Sequence, residues 1–238
     1  MRSPDPSPPE AATPKVAFEG ACVTIEDRAI LLSTTLTLAE RRVAIIGANG
    51  SGKSTFARLV NGLIAPTAGR VTVDGLDTVA DAAKVRRTVG FVFQNPDNQI
   101  VFPMVSEDVA FGLKNVGLAK AEIPARIAAE LGRFGIAHLA ERASHSLSGG
   151  EKQMVALCSV LVMRPRLIVF DEPTTLLDLN NRNRLRAAIA ALPQSAIVVT
   201  HDLDLIGEFD RVLVIEDGRV AADDAPAAAV PWYVGRAS

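Results

Sequence analysis

Eight residues constrain this chain more than any others: Gly47-Ala48-Asn49-Gly50-Ser51-Gly52-Lys53-Ser54. They match G-x-x-x-x-G-K-[ST], in which glycines let backbone N–H groups curl around phosphate oxygens. The run Val43-Ala44-Ile45-Ile46 comes just before, continuous and apolar as a strand buried on both faces must be. Phe56, Leu59, Val60 and Leu63 come just after, spaced i, i+3, i+4, i+7, which is one face of a helix. Strand, glycine loop and helix in that order aim the positive end of a helix at the phosphates. An α/β fold with a P-loop core is therefore expected. Lys53 would reach the β- and γ-phosphates, and the Ser54 hydroxyl would bind Mg²⁺. Gly47, Asn49, Gly50, Ser51, Gly52 and Thr55 complete the expected cradle.

The rest of the chain alternates in the same way. Leu36 and Leu38 sit between polar neighbours, and Val71 and Val73 alternate ahead of Asp74-Gly75, a hairpin turn. Val89 to Phe93, Leu167 to Phe170, Ala196 to Val199 and Arg211 to Ile215 read as strands, the last closing at Asp217-Gly218. Leu185, Ile189 and Leu192 mark a helix face. Between Gln94 and Arg164 strand runs vanish, while Ile123, Ile127, Leu131 and Phe134 keep a helical period. We expect a core over 15–94 and 163–220, an inserted helical subdomain over 95–162, and a C-terminal tail over 221–238. The tail holds an alanine-rich segment, Ala225–Val230, that could form a short helix. Residues 1–14, rich in proline and without an apolar stretch, read as a disordered tail rather than a targeting segment.

A second constellation lies at the end of an expected strand. Leu167 to Phe170 delivers Asp171 and then Glu172 to the carboxyl edge of the sheet, where α/β sheets bind ligands. Asp171 is the expected metal carboxylate, acting through water, and Glu172 the expected general base for an attacking water. Ser148-Gly149-Gly150 opens another helix, expected to run to about Met163. A serine and two glycines at a helix N-terminus make a second anion site.

Composition removes several classes. Hydrophobic residues are 48% and charged residues 22%, which fits a folded core and excludes a wholly disordered chain. The net charge of −2 gives no basic excess for a nucleic-acid backbone, so no nucleic-acid partner is expected. Met154 to Met163, the best apolar run, is too short to span a bilayer and stops at Arg164-Pro165-Arg166. Cys22 and Cys158 read as two buried, reduced thiols. His138 and His145 have no cysteine or acidic cluster beside them and read as surface or capping residues. Trp232 and Tyr233 form a small apolar patch expected to pack against the core rather than meet a partner.

Six segments in order carry a family resemblance over residues 15–220. Beside the P-loop and the acidic strand end, Leu147-Ser148-Gly149-Gly150-Glu151-Lys152-Gln153 resembles the LSGGQ signature of ATP-binding-cassette (ABC) ATPases. Gln94 resembles that family's Q-loop glutamine, Thr174-Thr175-Leu176-Leu177-Asp178 its D-loop, and Thr200-His201-Asp202 its switch histidine. The resemblance implies an ABC ATPase fold that binds ATP and Mg²⁺. It implies catalytic roles for Glu172, His201 and Gln94, metal contacts from Ser54, Gln94 and Asp171, and nucleotide contacts from Ser148, Gly149, Gly150 and Asp178. It also implies head-to-tail pairing with a second ATPase subunit, expected as a homodimer, in which the signature of one subunit covers the nucleotide on the other's P-loop.

Phe91-Val92-Phe93-Gln94-Asn95-Pro96-Asp97-Asn98-Gln99 and Glu107-Asp108-Val109-Ala110-Phe111-Gly112 resemble ATPases of energy-coupling-factor importers for vitamins, Co²⁺ or Ni²⁺. That likeness implies two membrane partners, a transmembrane coupling protein and a substrate-binding protein, and a peripheral place on the cytoplasmic face of the cell membrane. Ile100-Val101-Phe102-Pro103-Met104 would line the groove that receives the coupling protein; the other reading makes it ordinary subdomain core. The run from Asp171 to Arg184, and the absence of a long extension after Gly218, look most like the dedicated biotin-importer ATPases. A soluble ABC ATPase acting in iron–sulfur cluster assembly or another non-transport role is the alternative. Three positions depart from the family pattern: Ile25 stands where an adenine-stacking aromatic is usual, with Phe18 the nearby ring; Met154 replaces a common basic residue, and Leu176 a small one.

Overall fold

The computed structural model describes residues 12–175 and 177–237. The chain opens with two long antiparallel strands, β1 (Val16–Ile25) and β2 (Arg28–Leu38), then β3 (Arg42–Ile46) and helix α1 (Lys53–Val60). Strands β4 (Ala68–Val73) and β5 (Leu76–Asp77) form the expected hairpin, with Asp74 and Gly75 both at positive φ. Helix α2 (Ala82–Thr88) and β6 (Val89–Val92) follow, then α3 (Val105–Asn115), α4 (Ile123–Arg133) and α5 (Gly149–Leu161). The chain continues through β7 (Leu167–Asp171), α6 (Leu179–Ala190), β8 (Ser195–Val199), β9 (Arg211–Glu216), β10 (Arg219–Asp224) and α7 (Pro226–Ala237).

Two sheets result. The larger has the order β10-β9-β3-β8-β7-β6, parallel throughout except for β10, which runs antiparallel to β9. The smaller is antiparallel, in the order β2-β1-β4-β5. Every residue of β3, β7 and β8 is buried, and their side chains alternate between two cores. Val43, Ile45, Leu167, Val169, Ile197 and Val199 face the smaller sheet and α1. Ala44, Ile46, Ile168, Phe170, Ala196 and Val198 face the helices of the inserted segment and α6. That period-2 alternation between two apolar faces is why these strands read as unbroken hydrophobic runs.

Several expectations need correction. Helix α1 ends at Val60, so Leu63 lies beyond it and is exposed rather than on the helix face. Cys158 is buried, but Cys22 is half-exposed. The boundary at 220 falls inside β10, and the helix offered for Ala225–Val230 is longer than that segment: α7 buries Ala229 and packs Val230 and Tyr233 on the core. Trp232 stays partly exposed beneath the Arg236 guanidinium, 4.8 Å from its ring. Residues 1–11 of the proline-rich start and Leu176 lie outside the described residues.

Candidate functional site

Strand β3 ends at Ile46, and the glycine loop carries the chain into α1 through three left-handed glycines, Gly47, Gly50 and Gly52. Gly47 and Gly52 have no alternative residue type. A Cβ on Gly47 would overlap the Ile215 carbonyl oxygen, and one on Gly52 would lie 2.7 Å from the Ile30 carbonyl oxygen. Gly50, by contrast, faces open space. The turn Asp217-Gly218 closes the wall: Gly218 N–H donates to Ser51 O (3.0 Å), and Leu32 N–H donates to Gly218 O (2.7 Å).

The result is a cleft of about 470 Å³ lined by Asn49, Gly50, Gly52, Lys53, Ser54, Thr55 and Glu172. Arg28, Ala29, Ile30, Asp217 and Gly218 line it too, and none of these five was predicted as a site residue. They come from β2 and the β9–β10 turn, and no local motif marks them. Ile25 is not part of the lining; it is 50% exposed at the end of β1. Phe18 cannot serve as a stacking ring either, because it is buried against Phe56 with ring centroids 4.2 Å apart.

The cleft floor is polar and largely dry. Lys53 is buried, and its Nζ donates to Gly47 O (2.9 Å) and Ala48 O (2.7 Å). Burial pushes the Lys53 pKa below the usual lysine value, with Glu172 and Asp171 pulling it back up. Ser54 Oγ donates to Asp171 Oδ1 at 2.7 Å, and Asp171 is 1% exposed. Arg58, one turn after Ser54 on α1, donates to the other oxygen, Oδ2, at 3.0 Å. Its basic type at that spacing is the sequence signal for this contact. Ser51 Oγ is buried with no hydrogen-bond partner among the described residues.

Glu172 stands where β7 ends, at φ +49°, a left-handed conformation that costs a non-glycine residue roughly 1–3 kcal/mol. Its N–H donates to Val199 O at 2.9 Å, which carries the ladder one step past the strand. Three side chains converge on its carboxylate. His201 Nε2 is 3.0 Å from Oε1, Thr175 Oγ1 donates to Oε2 at 3.1 Å, and Gln94 Nε2 donates to Oε2 at 3.4 Å. The switch loop is itself anchored, since the Arg186 guanidinium pairs with Asp202.

A nucleoside triphosphate with a divalent cation fits this donor set. The left-handed glycines leave a cradle that side chains would fill, Lys53 supplies a buried cation, and the Ser54–Asp171 pair offers hard oxygens of the kind Mg²⁺ takes. Among the described residues no cluster of histidine, cysteine and acids could hold a metal by itself.

The other predicted anion site is built separately. Ser148 caps α5: its Oγ accepts from Glu151 N–H (3.3 Å), and its N–H donates to Glu151 Oε2 (2.8 Å), a complete capping box. Backbone donation from Ser148 holds the Glu151 carboxyl below its usual range. Asp178 caps α6 and accepts from Asn181 N–H at 2.8 Å. Ser148, Gly149, Gly150 and Asp178 do not line the cleft of their own chain.

Comparison with known proteins places these features in context. A family profile described as ABC transporter matches residues 32–175. The chain is 54% identical over 218 residues to the biotin transport ATP-binding protein BioM of Rhizobium etli, covering 92% of this chain and 97% of that one. It is 49% identical over 190 residues to the energy-coupling factor transporter ATP-binding protein EcfA1 of Symbiobacterium thermophilum, covering 77% and 66%. Among solved structures it matches cbiO1 of Clostridium perfringens, described as part of the ABC transporter complex cbiONQ, with a TM-score of 0.79, 33% identity and 93% of both chains covered.

Proposed function

The chain belongs to the ABC transporter family as an ATP-binding subunit of the energy-coupling-factor type, and from that premise we propose that it is the Mg²⁺-dependent ATPase that powers a biotin importer. The observation that carries the mechanism is that the Ser148-capped N-terminus of α5, read as a second anion site, does not share the cleft of the P-loop. A second subunit, placed head to tail, supplies the missing half, and a homodimer is the simplest form. ATP then lies between the P-loop of one subunit and the Ser148-Gly149-Gly150 helix end of the other, and closure of the pair is the motion that transport uses.

Within each cleft the roles follow from position. Backbone N–H groups of the loop and the α1 N-terminus hold phosphate oxygens, and Lys53 neutralises them at short range. Ser54, Asp171 and Gln94 would hold Mg²⁺, which would supply charge neutralisation at the phosphates. Glu172 accepts the proton of the attacking water, and His201 orients that carboxylate. Arg58 keeps the second oxygen of Asp171 occupied, so the first stays turned to Ser54.

The membrane side is proposed on a different patch. Val101 is 78% exposed, and Phe111 is half-exposed with its ring 5.2 Å from Phe102. These side chains and half-buried Met104 form an apolar surface close in sequence to Gln94, suited to a coupling protein's helices. No helix among the described residues is long and apolar enough to cross a membrane. The proposed place of the subunit is peripheral, at the cytoplasmic face, held there by its membrane partners. Biotin as the cargo is supported by the name of the Rhizobium relative. The test is purification in mild detergent with whatever membrane proteins accompany the chain, followed by ATP-dependent uptake of biotin, Co²⁺ and Ni²⁺ into vesicles carrying the complex. Uptake of a metal ion but not biotin would reassign the cargo, and recovery without membrane partners would favour the soluble alternative.

A further inference from the structure

Between the D-loop cap, Asp178, and the signature helix lies the Asn181 side chain, to which no catalytic or nucleotide role attaches. Its backbone N–H donates to Asp178 Oδ1 (2.8 Å), and its Nδ2 donates to Asp178 Oδ2 (2.9 Å). This grip from the Asn181 backbone and side chain holds the Asp178 carboxyl below its usual range. The other side of the same amide lies against Gly150. A Cβ built on Gly150 would overlap Cγ, Oδ1 and Nδ2 of Asn181. A short side chain bonded to Asp178 Oδ2 cannot swing aside without breaking that bond.

We propose that Asn181 is a positioning residue that locks the N-terminus of α5 to the N-terminus of α6, so that signature and D-loop approach the partner subunit's nucleotide as one rigid unit. The inference rests on the head-to-tail reading above, which gives these two helix ends a common target. It also explains Gly150 from within its own chain: position 150 lacks a side chain because Asn181 fills that space.

Two measurements test this. In a Glu172→Gln background, which is expected to retain ATP, adding Asn181→Ala is expected to weaken ATP-driven dimerisation about threefold or more, the scale of a lost coupling contact. ATP affinity of the monomer and the melting temperature should not fall, because alanine is the better helix former at an α6 position. Independently, Gly150→Ala is expected to lower the melting temperature, and Gly150→Ala with Asn181→Ala to recover it, since alanine at 181 removes all three overlapping atoms. Dimerisation unchanged by Asn181→Ala would overturn the locking role. A Gly150→Ala defect that Asn181→Ala does not relieve would overturn the steric fit. If Glu172→Gln alone fails to dimerise with ATP, the head-to-tail reading falls and the locking role with it, while the paired melting temperatures still decide the Asn181–Gly150 contact.

Discussion

His201 Nε2 stands 3.0 Å from Oε1 of Glu172, joining the last residue delivered by β7 to the loop that follows β8. The two strands are parallel neighbours with Asp171 paired to Val199, so residues 29 apart in sequence meet at one sheet edge. Thr175 and Gln94 reach the other oxygen of the same carboxylate. Three side chains from three chain segments thus hold one carboxylate, the preorganisation that a water-activating base would need.

Glu172→Gln is therefore expected to lower ATP turnover by about 10²–10⁴, the usual worth of a general base. ATP binding should persist, because no phosphate contact is lost, and an ATP-bound dimer should accumulate. Turnover by phosphate release and dimer mass by light scattering check both halves. Turnover within a few-fold of the parent would remove Glu172 from that role.

Lys53 sets a pH dependence. Burial lowers its pKa, against upward pulls from Glu172 and then Asp171. Lysine grips phosphate only as the cation, and the cation is lost as pH rises through the pKa. ATP affinity should accordingly begin to fall at a lower pH than an ordinary lysine value of about 10.4 would give. Bound phosphate favours the cation, so binding on the alkaline side should take up protons. Calorimetry in two buffers of different ionisation heat measures this uptake. Lys53→Ala should weaken binding and abolish that uptake; unchanged affinity in that variant would refute the assignment.

Nucleotide choice should be loose. Neither Ile25, outside the cleft, nor Phe18, buried under Phe56, can stack on a base. Stacking adds about 0.5–1.5 kcal/mol beyond area, so its absence leaves ATP and GTP within about tenfold in hydrolysis. Arg28→Ala should weaken both nucleotides, because Arg28 lines the cleft. A hundredfold preference for ATP in the unaltered protein would show that some other group reads the base.

The parts legible from sequence were those in which one local stretch states both structure and chemistry. The P-loop is one, with its strand before and helix after; the Leu167–Glu172 run is another, because its strand is apolar on both faces. The smaller sheet was legible only in part, at the end of β2 and in the β4–β5 hairpin. Strand β1 mixes buried Val16, Phe18, Ala21 and Val23 with exposed Glu19, Thr24 and Ile25, and pairs with β2 through register shifts that blur any strict alternation. Arg28, Ala29 and Ile30 reach the cleft only because β2 closes on Gly218 and Gly52, a long-range contact with no local mark. The grip of Asn181 on Gly150 was hidden for the same reason.

Asp108 offers a stability test inside the helical segment. Its buried carboxylate accepts from Val101 N–H (2.9 Å), Phe102 N–H (3.2 Å) and Ser159 Oγ (2.9 Å), tying the exposed loop to α3 and α5. Asp108→Ala would leave partly buried donors unpaired, at about 1–3 kcal/mol for each one that water does not reach. A melting temperature lowered by several degrees is expected. An unchanged value would mean that solvent replaces these bonds freely.

Val101 itself should behave in the opposite way. Its side chain is 78% exposed, so a carboxylate there meets water and pays no burial penalty. Val101→Asp should therefore fold with an unchanged melting temperature and keep the basal ATPase of the isolated subunit, since Lys53, Asp171, Glu172 and His201 are untouched. What it should lose is the coupling protein, because a charge in an apolar contact has no partner once water is expelled. Met104 is half-buried and bridges Ala143 through its backbone, so Met104→Asp should cost both stability and coupling. Measuring melting temperature, basal turnover and co-purification on both variants separates the two effects. A folded Val101→Asp subunit that still binds its membrane partners and transports normally would refute the groove.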